Sequence, residues 1–369
     1  MPLKSNLPLL RAFAALCLLS SAYSLRGAEP AAPAAAAPTS TTAPAPGAIA
    51  PKKKGPPGPP ITPAEQADID KLNDLPAWKA GNGDGSYSVG PMYSPAPEQT
   101  AREGVPHGKI ITFTMDSAES KFYPGIDGAT FKRAVTVYVP AQYVPGKPAA
   151  AIVSCDAYGA RNNQLPNILD NMIADKRLPV IVAVMIANGG TERSMEYDTV
   201  SGKYVEFVEA EVLPRAEKEA GVVITKDPDG RMTLGGSSGG VCAFTMAWFH
   251  PELYRRVLSY SGTFVGLKRD DSAPHGAWEY HENFIPKSPA KPLRVWLHVS
   301  ENDNGAKTTA SAYRNWIIAN KQMAAVLKDK GYHYQFVYAK AAGHTDGKVI
   351  AQTYPQALEW VWQGYKPAK

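Results

Sequence analysis

Cysteine is scarce in this sequence, with three residues among 369. Cys17 lies in an N-terminal leader, and Cys155 and Cys242 each sit inside an apolar run. Domains that depend on disulfides are dense in cysteine, so this usage argues against a disulfide framework. We expect Cys155 and Cys242 to be buried free thiols.

The chain also lacks an excess of charge of one sign over most of its length. The formal net charge is +5, from 39 Lys and Arg against 34 Asp and Glu. Residues 1–62 hold six of the basic residues and one of the acids, which leaves the remainder neutral. Nucleic-acid binding needs basic side chains concentrated on one face, so we expect no nucleic-acid partner.

The amino-terminal apolar run is short. It covers Ala12–Leu19, follows Lys4 and Arg11, and precedes the small-x-small triplet Ala22-Tyr23-Ser24. This pattern is typical of a cleaved export signal, whereas a membrane-spanning helix needs about 20 apolar residues. The sequence therefore predicts a signal peptide over residues 1–24, an exported protein (periplasmic or secreted) and no stable membrane insertion.

Composition divides the rest of the chain into three parts. Residues 25–62 are rich in Ala and Pro and carry too little apolar bulk to fold, which predicts a disordered linker. Residues 63–105 form a polar, glycine-rich lead-in, which we expect to be irregular apart from one short helix started by a capping box of Thr62 and Glu65. Residues 106–369 are expected to form one domain. The sequence does not specify an oligomeric state.

Strand-like and helix-like segments alternate through this domain. The strand-like segments are 109–115, 134–139, 150–154, 180–186, a run ending at 234, 256–260, 293–299 and 334–338; the helix-like segments are 165–174, 204–220, 310–330 and 354–365. The first two strands are predicted to be antiparallel because a turn-like Tyr123-Pro124-Gly125 joins them. Repeated strand–helix units predict an α/β fold with a mostly parallel central sheet flanked by helices on both faces.

Residues 235–240 read Gly-Gly-Ser-Ser-Gly-Gly between a strand and a helix. A serine at such a turn, with glycine two residues before and after it, is typical of the nucleophile elbow of α/β-hydrolases. Ser237 and Ser238 both satisfy this spacing. We favour Ser237 as the catalytic nucleophile, because the backbone N–H of Ser238 then lies at the helix start as an oxyanion donor. A phosphate-binding loop is disfavoured because Val241 stands where a Walker motif requires lysine.

An acid and a histidine follow the two last predicted strands. Asp303 follows one strand and His344 follows the other, which gives the order serine, acid, histidine used by α/β-hydrolases. His344 is the expected general base, oriented by Asp303. Glu301 competes with Asp303 for the role of the acid. Asp346, although near His344 in sequence, is interpreted as a helix cap.

A second oxyanion donor is expected from the loop after the strand 150–154, near the backbone N–H of Ala157. The histidines show no convincing metal-ligand spacing. We therefore predict no metal and no cofactor.

The chain resembles the putative esterase family of α/β-hydrolases, which includes enterochelin, feruloyl and acetyl xylan esterases, S-formylglutathione hydrolases of the esterase D type, and mycolyltransferases. The segments that carry the resemblance are 156–159 (Asp-Ala-Tyr-Gly), 192–198 (Glu-Arg-Ser-Met-Glu-Tyr-Asp), 211–214, the elbow, 301–304 and Gly343-His344. The enterochelin esterase branch is the most similar, through Arg-x-x-Glu-Tyr before a long helix. The resemblance implies the same catalytic residues, Ser237, Asp303 and His344.

Three further residues in these segments are candidates for substrate binding: Tyr158, Arg193 and Glu196. Arg193 and Glu196 could hold a polar or anionic substrate, and the alternative is an ion pair between them that pins the loop. The predicted function is an exported, enterochelin esterase-like serine carboxylester hydrolase that forms an acyl-enzyme on a small-molecule or polysaccharide-linked ester. Acyl transfer to a sugar or lipid alcohol, and feruloyl or acetyl xylan ester hydrolysis, are the alternatives within enzymes. A non-catalytic binding protein is the alternative outside them.

Overall fold

The computed structural model describes residues 58–160 and 164–367. The predicted signal peptide and residues 25–57 of the predicted linker lie outside the described residues. Residues 58–62, also assigned to the linker, are tied to the folded domain, since the N–H of Ile61 donates to the carbonyl of Lys307 at 2.9 Å. No helix within the described ranges is both long and apolar enough to cross a bilayer.

Ten strands and nine α-helices are found in the described residues. The strands are β1 (Gly85–Val89), β2 (Lys109–Asp116), β3 (Lys132–Val139), β4 (Pro148–Cys155), β5 (Ile181–Ile186), β6 (Val223–Ile224), β7 (Arg231–Gly236), β8 (Arg256–Tyr260), β9 (Arg294–Asn302) and β10 (His333–Gly343). The helices are α1 (Pro63–Asp70), α2 (Gln164–Ala174), α3 (Arg193–Tyr197), α4 (Lys203–Phe207), α5 (Leu213–Ala220), α6 (Ser238–Phe249), α7 (Ile285–Lys287), α8 (Trp316–Asp329) and α9 (Gly347–Val361). A π-helical turn, Val208–Val212, joins α4 to α5, so the long helix expected at 204–220 is continuous.

The strands form one mixed sheet in the order β1-β10-β9-β8-β7-β4-β5-β3-β2, with β6 paired to β4. β2 and β3 are antiparallel, as predicted, and β3 is also antiparallel to β5. The strands from β5 through β4 and β7 to β10 and β1 are parallel. The prediction of a mostly parallel α/β sheet is therefore confirmed.

Helices cover both faces of this sheet. In β4, Ala151 and Val153 belong to one buried cluster, and Ala150 and Ile152 belong to another. Neighbouring residues of a strand point to opposite faces, so these clusters are the cores of two layers. The first contains side chains of α4, α5, α6 and α8, and the second contains those of α2 and α9.

The lead-in is more regular than the sequence predicted. The capping box of Thr62 and Glu65 is present and starts α1. The later part of the lead-in supplies β1, an edge strand that pairs in parallel with β10. Trp78 is buried, and its indole N–H donates to Gln335 at 3.0 Å. The expectation of an irregular segment was wrong because β1 is stabilised by β10, which lies about 250 residues later in the chain.

Candidate active site

Ser237 lies at a sharp turn between β7 and α6. Its φ is 58° and its ψ is −127°, a conformation that is costly for a residue with a side chain. A Cβ atom on Gly235 would collide with the backbone of Gly239, and one on Gly236 would lie 2.5 Å from the ring of Tyr158. The flanking glycines therefore permit the turn that the sequence predicted.

The structure brings Ser237, His344 and Asp303 together from three strand ends. The Oγ atom of Ser237 lies 2.8 Å from Nε2 of His344, and Nδ1 of His344 lies 2.6 Å from Oδ1 of Asp303. These residues directly follow β7, β10 and β9, whose carboxyl ends meet at one edge of the sheet. The arrangement can move a proton from the serine hydroxyl to the imidazole.

Asp303 is held ionised although its side chain is wholly buried. Burial opposes the charged form, but hydrogen bonds from His344 and Ser261 outweigh it and keep the pKa of Asp303 below its ordinary value. The N–H groups of Ser300 and Asn304 also donate to this carboxylate, at 3.1 and 2.8 Å. A buried anion with several donors is suited to orienting an imidazole and stabilising its charged form.

The two serines of the elbow have different surroundings. Ser237 is partly exposed and contacts His344, whereas Ser238 is buried and its hydroxyl faces Asp198. Burial raises the pKa of Asp198, although hydrogen bonds from Ser194 and Ser238 oppose that shift. Ser238 is the first residue of α6, where backbone N–H groups have no carbonyl partner in the preceding turn of the helix. The geometry therefore favours the Ser237 register.

The predicted role of Ala157 is not supported by its hydrogen bonding. Its N–H donates to the carbonyl of Ile186 at 2.7 Å, so it is not free to bind an oxyanion. Asp156 and Ala157 both have a positive φ, 61° and 49°, and the N–H of Ala157, two residues after β4 ends, bonds to the last residue of β5. Local sequence does not reveal a partner on a neighbouring strand.

Residues 130–352 match the family whose model is described as Putative esterase, which is well over half of the chain. The chain belongs to this family. It has an α/β-hydrolase fold, as the resemblance in sequence implied.

Solved structures and a curated protein are similar to this esterase at low identity. The enterobactin esterase FES of Shigella flexneri matches with a TM-score of 0.53 and 21% identity, over 74% of this chain and 63% of that one. A CE1 ferulic acid esterase of Anaeromyces mucronatus matches with a TM-score of 0.51 and 14% identity, over 73% and 96%. The uncharacterized protein YbbA of Bacillus subtilis (strain 168) is 22% identical over 249 residues, 62% of this chain and 92% of that protein. This chain therefore spans less than two thirds of FES, and the likeness to these structures shows the shared fold.

The alternative interpretation, an ion pair between Arg193 and Glu196 of this esterase, is wrong, because each side chain has another partner. Arg193 binds Asp156, with Nε 2.9 and 3.0 Å from the two carboxylate oxygens. Glu196 is wholly buried and pairs with Arg133. Glu196 therefore cannot contact a substrate, and Arg193, whose side chain is 32% exposed, pins the loop that carries Asp156.

Tyr158 packs against two other tyrosine rings. Its ring stacks on Tyr260 at 5.9 Å and meets Tyr354 edge-on at 6.3 Å. Its hydroxyl is buried and has no hydrogen-bond partner among the described residues. Tyr158 thus packs beneath the elbow, against Gly236, and its predicted role in substrate binding stays a prediction.

Three residues that the sequence analysis did not single out lie next to Ser237, His344 and Asp303. The Oγ1 atom of Thr263 lies 3.5 Å from Oγ of Ser237, and the Trp316 ring meets the His344 ring edge-on at 6.1 Å. Ser261 donates to Asp303 at 2.7 Å. The signal in the sequence is position, since Ser261 directly follows a predicted strand, but serine is common after strands and does not by itself indicate a catalytic site.

Within the described residues, two further sets of chemically reactive side chains lie apart from Ser237, His344 and Asp303. Cys155 and Cys242 are buried free thiols, as predicted. His275, Glu279 and Glu282 bring possible metal-ligand atoms within 4.8 Å of one another, a grouping that the sequence analysis did not anticipate. In this conformation Nδ1 of His275 is 2.7 Å from the Glu282 carboxylate, so these two side chains are hydrogen-bonded to each other.

Proposed function

We propose that this esterase is a serine hydrolase in which Ser237 is the nucleophile, His344 the general acid and base, and Asp303 the residue that orients His344. The observation that carries the proposal is the continuous contact from Ser237 Oγ through His344 to Asp303, at 2.8 and 2.6 Å. Partial exposure of Ser237 supports access by an ester, and the burial of Ser238 argues against that residue as the nucleophile.

The reaction proceeds in two balanced steps. In the first, Ser237 Oγ attacks the ester carbonyl carbon while Nε2 of His344 accepts the serine proton; the bond to the alcohol then breaks and His344 returns the proton to the alcohol. In the second, His344 takes a proton from water, the hydroxide attacks the acyl-enzyme, and Ser237 leaves with the proton. These two steps require no oxidant, reductant or additional group.

The oxyanion formed in each step needs hydrogen-bond donors. We assign one donor to the N–H of Ser238 at the start of α6, where the helix dipole also favours negative charge. Loss of one such donor typically costs about 10²- to 10³-fold in kcat.

For the substrate, we propose a small-molecule ester of the kind cleaved by enterochelin esterases. The likeness to the enterobactin esterase FES and the Arg-x-x-Glu-Tyr segment 193–197 support this choice. Because the fold is also similar to that of a ferulic acid esterase, phenolic esters are a second class of substrate to test. We further propose export, on the basis of the predicted signal peptide over residues 1–24; amino-terminal sequencing of the protein from its producing cells checks the cleavage site.

The test compares Ser237→Ala with Ser238→Ala in hydrolysis of p-nitrophenyl acetate. We expect the first substitution to reduce kcat by about 10⁴-fold or more and to abolish labelling by a fluorophosphonate, with much smaller effects for the second. Activity that survives Ser237→Ala but not Ser238→Ala would reject the assignment. Product analysis with a competing alcohol separates hydrolysis from acyl transfer, and a panel of siderophore lactones, feruloyl esters and acetylated sugars identifies the acyl group.

A further inference from the structure

Ser261 belongs to a row of four residues at the active edge of the sheet. β7, β8, β9 and β10 are neighbouring parallel strands, and the residues directly after them are Ser237, Ser261, Asp303 and His344. In the order of the strands, Ser261 therefore lies between the nucleophile and the acid.

The backbone of Ser261 is constrained in an uncommon conformation. Its φ is 47°, in the left-handed region that residues with a side chain seldom adopt, and the residue is completely buried. Its N–H donates to the carbonyl of His298 in β9 at 2.9 Å. A costly conformation persists only where the surrounding contacts hold it. Here the holding contact comes from the strand that also carries Asp303.

The hydroxyl of Ser261 makes two hydrogen bonds with different parts of the site. It donates to Oδ2 of Asp303 at 2.7 Å and accepts from the N–H of Thr345 at 3.2 Å. A hydroxyl has one proton and two lone pairs, so one group can make both bonds at once. Thr345 follows His344 and also has a positive φ, 48°. The Ser261 hydroxyl thus connects the acid to the turn that carries the base.

The backbone donors to Asp303 cannot make this connection. The N–H groups of Ser300 and Asn304 come from the end of β9 and from the residue after Asp303, within four residues of the acid. They fix the carboxylate relative to its own loop but do not relate it to the loop of His344.

The segment that contains Ser261 also reaches the nucleophile. The N–H of Thr263 donates to the carbonyl of Ser237 at 3.1 Å. Residues 261–263 therefore contact the nucleophile, the acid and the turn of the base.

We propose that Ser261 is a positioning residue for ester hydrolysis. Its hydroxyl holds the Asp303 carboxylate so that Oδ1 faces His344, and it holds the turn at Thr345 so that the imidazole stays aimed at Ser237. This proposal rests on the triad proposed above. A hydroxyl with only a structural role would affect stability and leave kcat unchanged.

Ser261→Ala and Ser259→Ala test the proposal as a matched pair. Ser259 lies two residues earlier in β8, is equally buried, and its hydroxyl has no hydrogen-bond partner within the described structure. We expect Ser261→Ala to lower kcat for p-nitrophenyl acetate by about 10- to 100-fold with KM changed by less than about twofold, a smaller loss than the ~10⁴-fold expected without a functional acid. Ser259→Ala is expected to have the same kcat as the wild type. The far-downfield proton resonance of the hydrogen bond between His344 and Asp303 should broaden or shift only in Ser261→Ala.

A kcat of Ser261→Ala within about twofold of the wild type, or an equal loss in Ser259→Ala, would overturn the proposal. If Ser261→Ala does not fold, Ser261→Cys replaces it; a thiol is a weaker donor of similar size, and the proposal then requires a partial loss of kcat. An active Ser237→Ala protein would reject the triad itself. An inactive Ser237→Ala beside a fully active Ser261→Ala would reject only the role of Ser261.

Discussion

The imidazole of His344 donates from Nδ1 to Oδ1 of Asp303, at a distance of 2.6 Å. This bond fixes the tautomer, because a proton on Nδ1 leaves Nε2 free to accept the proton of Ser237. The Asp303 carboxylate is inaccessible to solvent, while 22% of the His344 side chain is exposed. The proposed base, His344, is therefore open to solvent, while the proposed acid, Asp303, is protected from it.

Replacing Asp303 by Asn should lower kcat about 10⁴-fold, because the amide no longer selects the productive imidazole tautomer. Initial rates with p-nitrophenyl acetate measure the loss. Glu301→Gln is the control, since the Glu301 carboxylate accepts from the N–H of Ala341 at 2.5 Å, whereas the hydrogen bond with His344 is made by Asp303. If Glu301→Gln were the more damaging change, the acid would have to be reassigned to Glu301.

The pair of Arg193 and Asp156 should act as a unit that shapes the loop next to the elbow. We expect Arg193→Ala and Asp156→Ala to lower kcat/KM by similar factors and the double variant to be no worse, with a coupling of about 1 kcal/mol or more. A double-mutant cycle of kcat/KM measures this coupling. A rise in KM for Arg193→Ala alone, with normal kinetics for Asp156→Ala, would instead point to direct substrate binding by Arg193.

The buried pair of Arg133 and Glu196 should matter for stability. Glu196→Gln leaves a buried guanidinium without its counter-charge, and such a change costs about 3–5 kcal/mol in free energy of unfolding. The double substitution Arg133→Met/Glu196→Leu should cost less, because no unpaired charge remains. Urea unfolding measures both variants.

Asp175→Asn is the matched control for that experiment. Its partner Arg102 is 49% exposed, and breaking this surface pair should cost no more than about 1 kcal/mol. Equal losses from Glu196→Gln and Asp175→Asn would contradict the expected effect of burial.

Glu65 should make the stability depend on pH in the acid range. Burial opposes its ionisation, but hydrogen bonds from Thr62, Ala310 and Thr309 outweigh it and lower its pKa from 4.5 to about 2. A lowered pKa stabilises the folded state above pH 4.5, and this contribution is lost as the pH falls towards 2. The difference in free energy of unfolding between wild type and Glu65→Gln should therefore shrink from about pH 6 to about pH 3. Urea unfolding at several pH values checks this, with the exposed Glu103→Gln as a control that should show no such trend.

Local pattern predicted the sheet well where strands are apolar and buried. The strand expected at 256–260 is β8 without any change of bounds, and Asp346 caps α9 as expected, accepting from the N–H of Lys348 at 2.8 Å. β1 was missed because Gly85-Ser86-Tyr87-Ser88 is polar and short. Its pairing with β10 stabilises a segment that has little strand propensity of its own.

The errors at the site have one physical origin, which is competition between partners that are distant in sequence. Arg193 and Glu196 are three residues apart on a short helix, a spacing that permits an ion pair. Asp156, in the turn after β4, and Arg133, in β3, bind them instead. Likewise, the N–H of Ala157 is taken by Ile186 of the adjacent strand.

The sequence by itself determined the strand–helix alternation, the glycine-flanked serine and the presence of an acid and a histidine at later strand ends. These features are local, since they depend on side-chain periodicity and on which residues tolerate a tight turn. Only the tertiary structure brought Ser237 into contact with His344 and buried Ser238, assigned each charged side chain its partner, and brought Ser261 against Asp303. Such choices depend on distances between atoms that are far apart in the chain, and those distances exist only after the parallel strands have aligned at one edge.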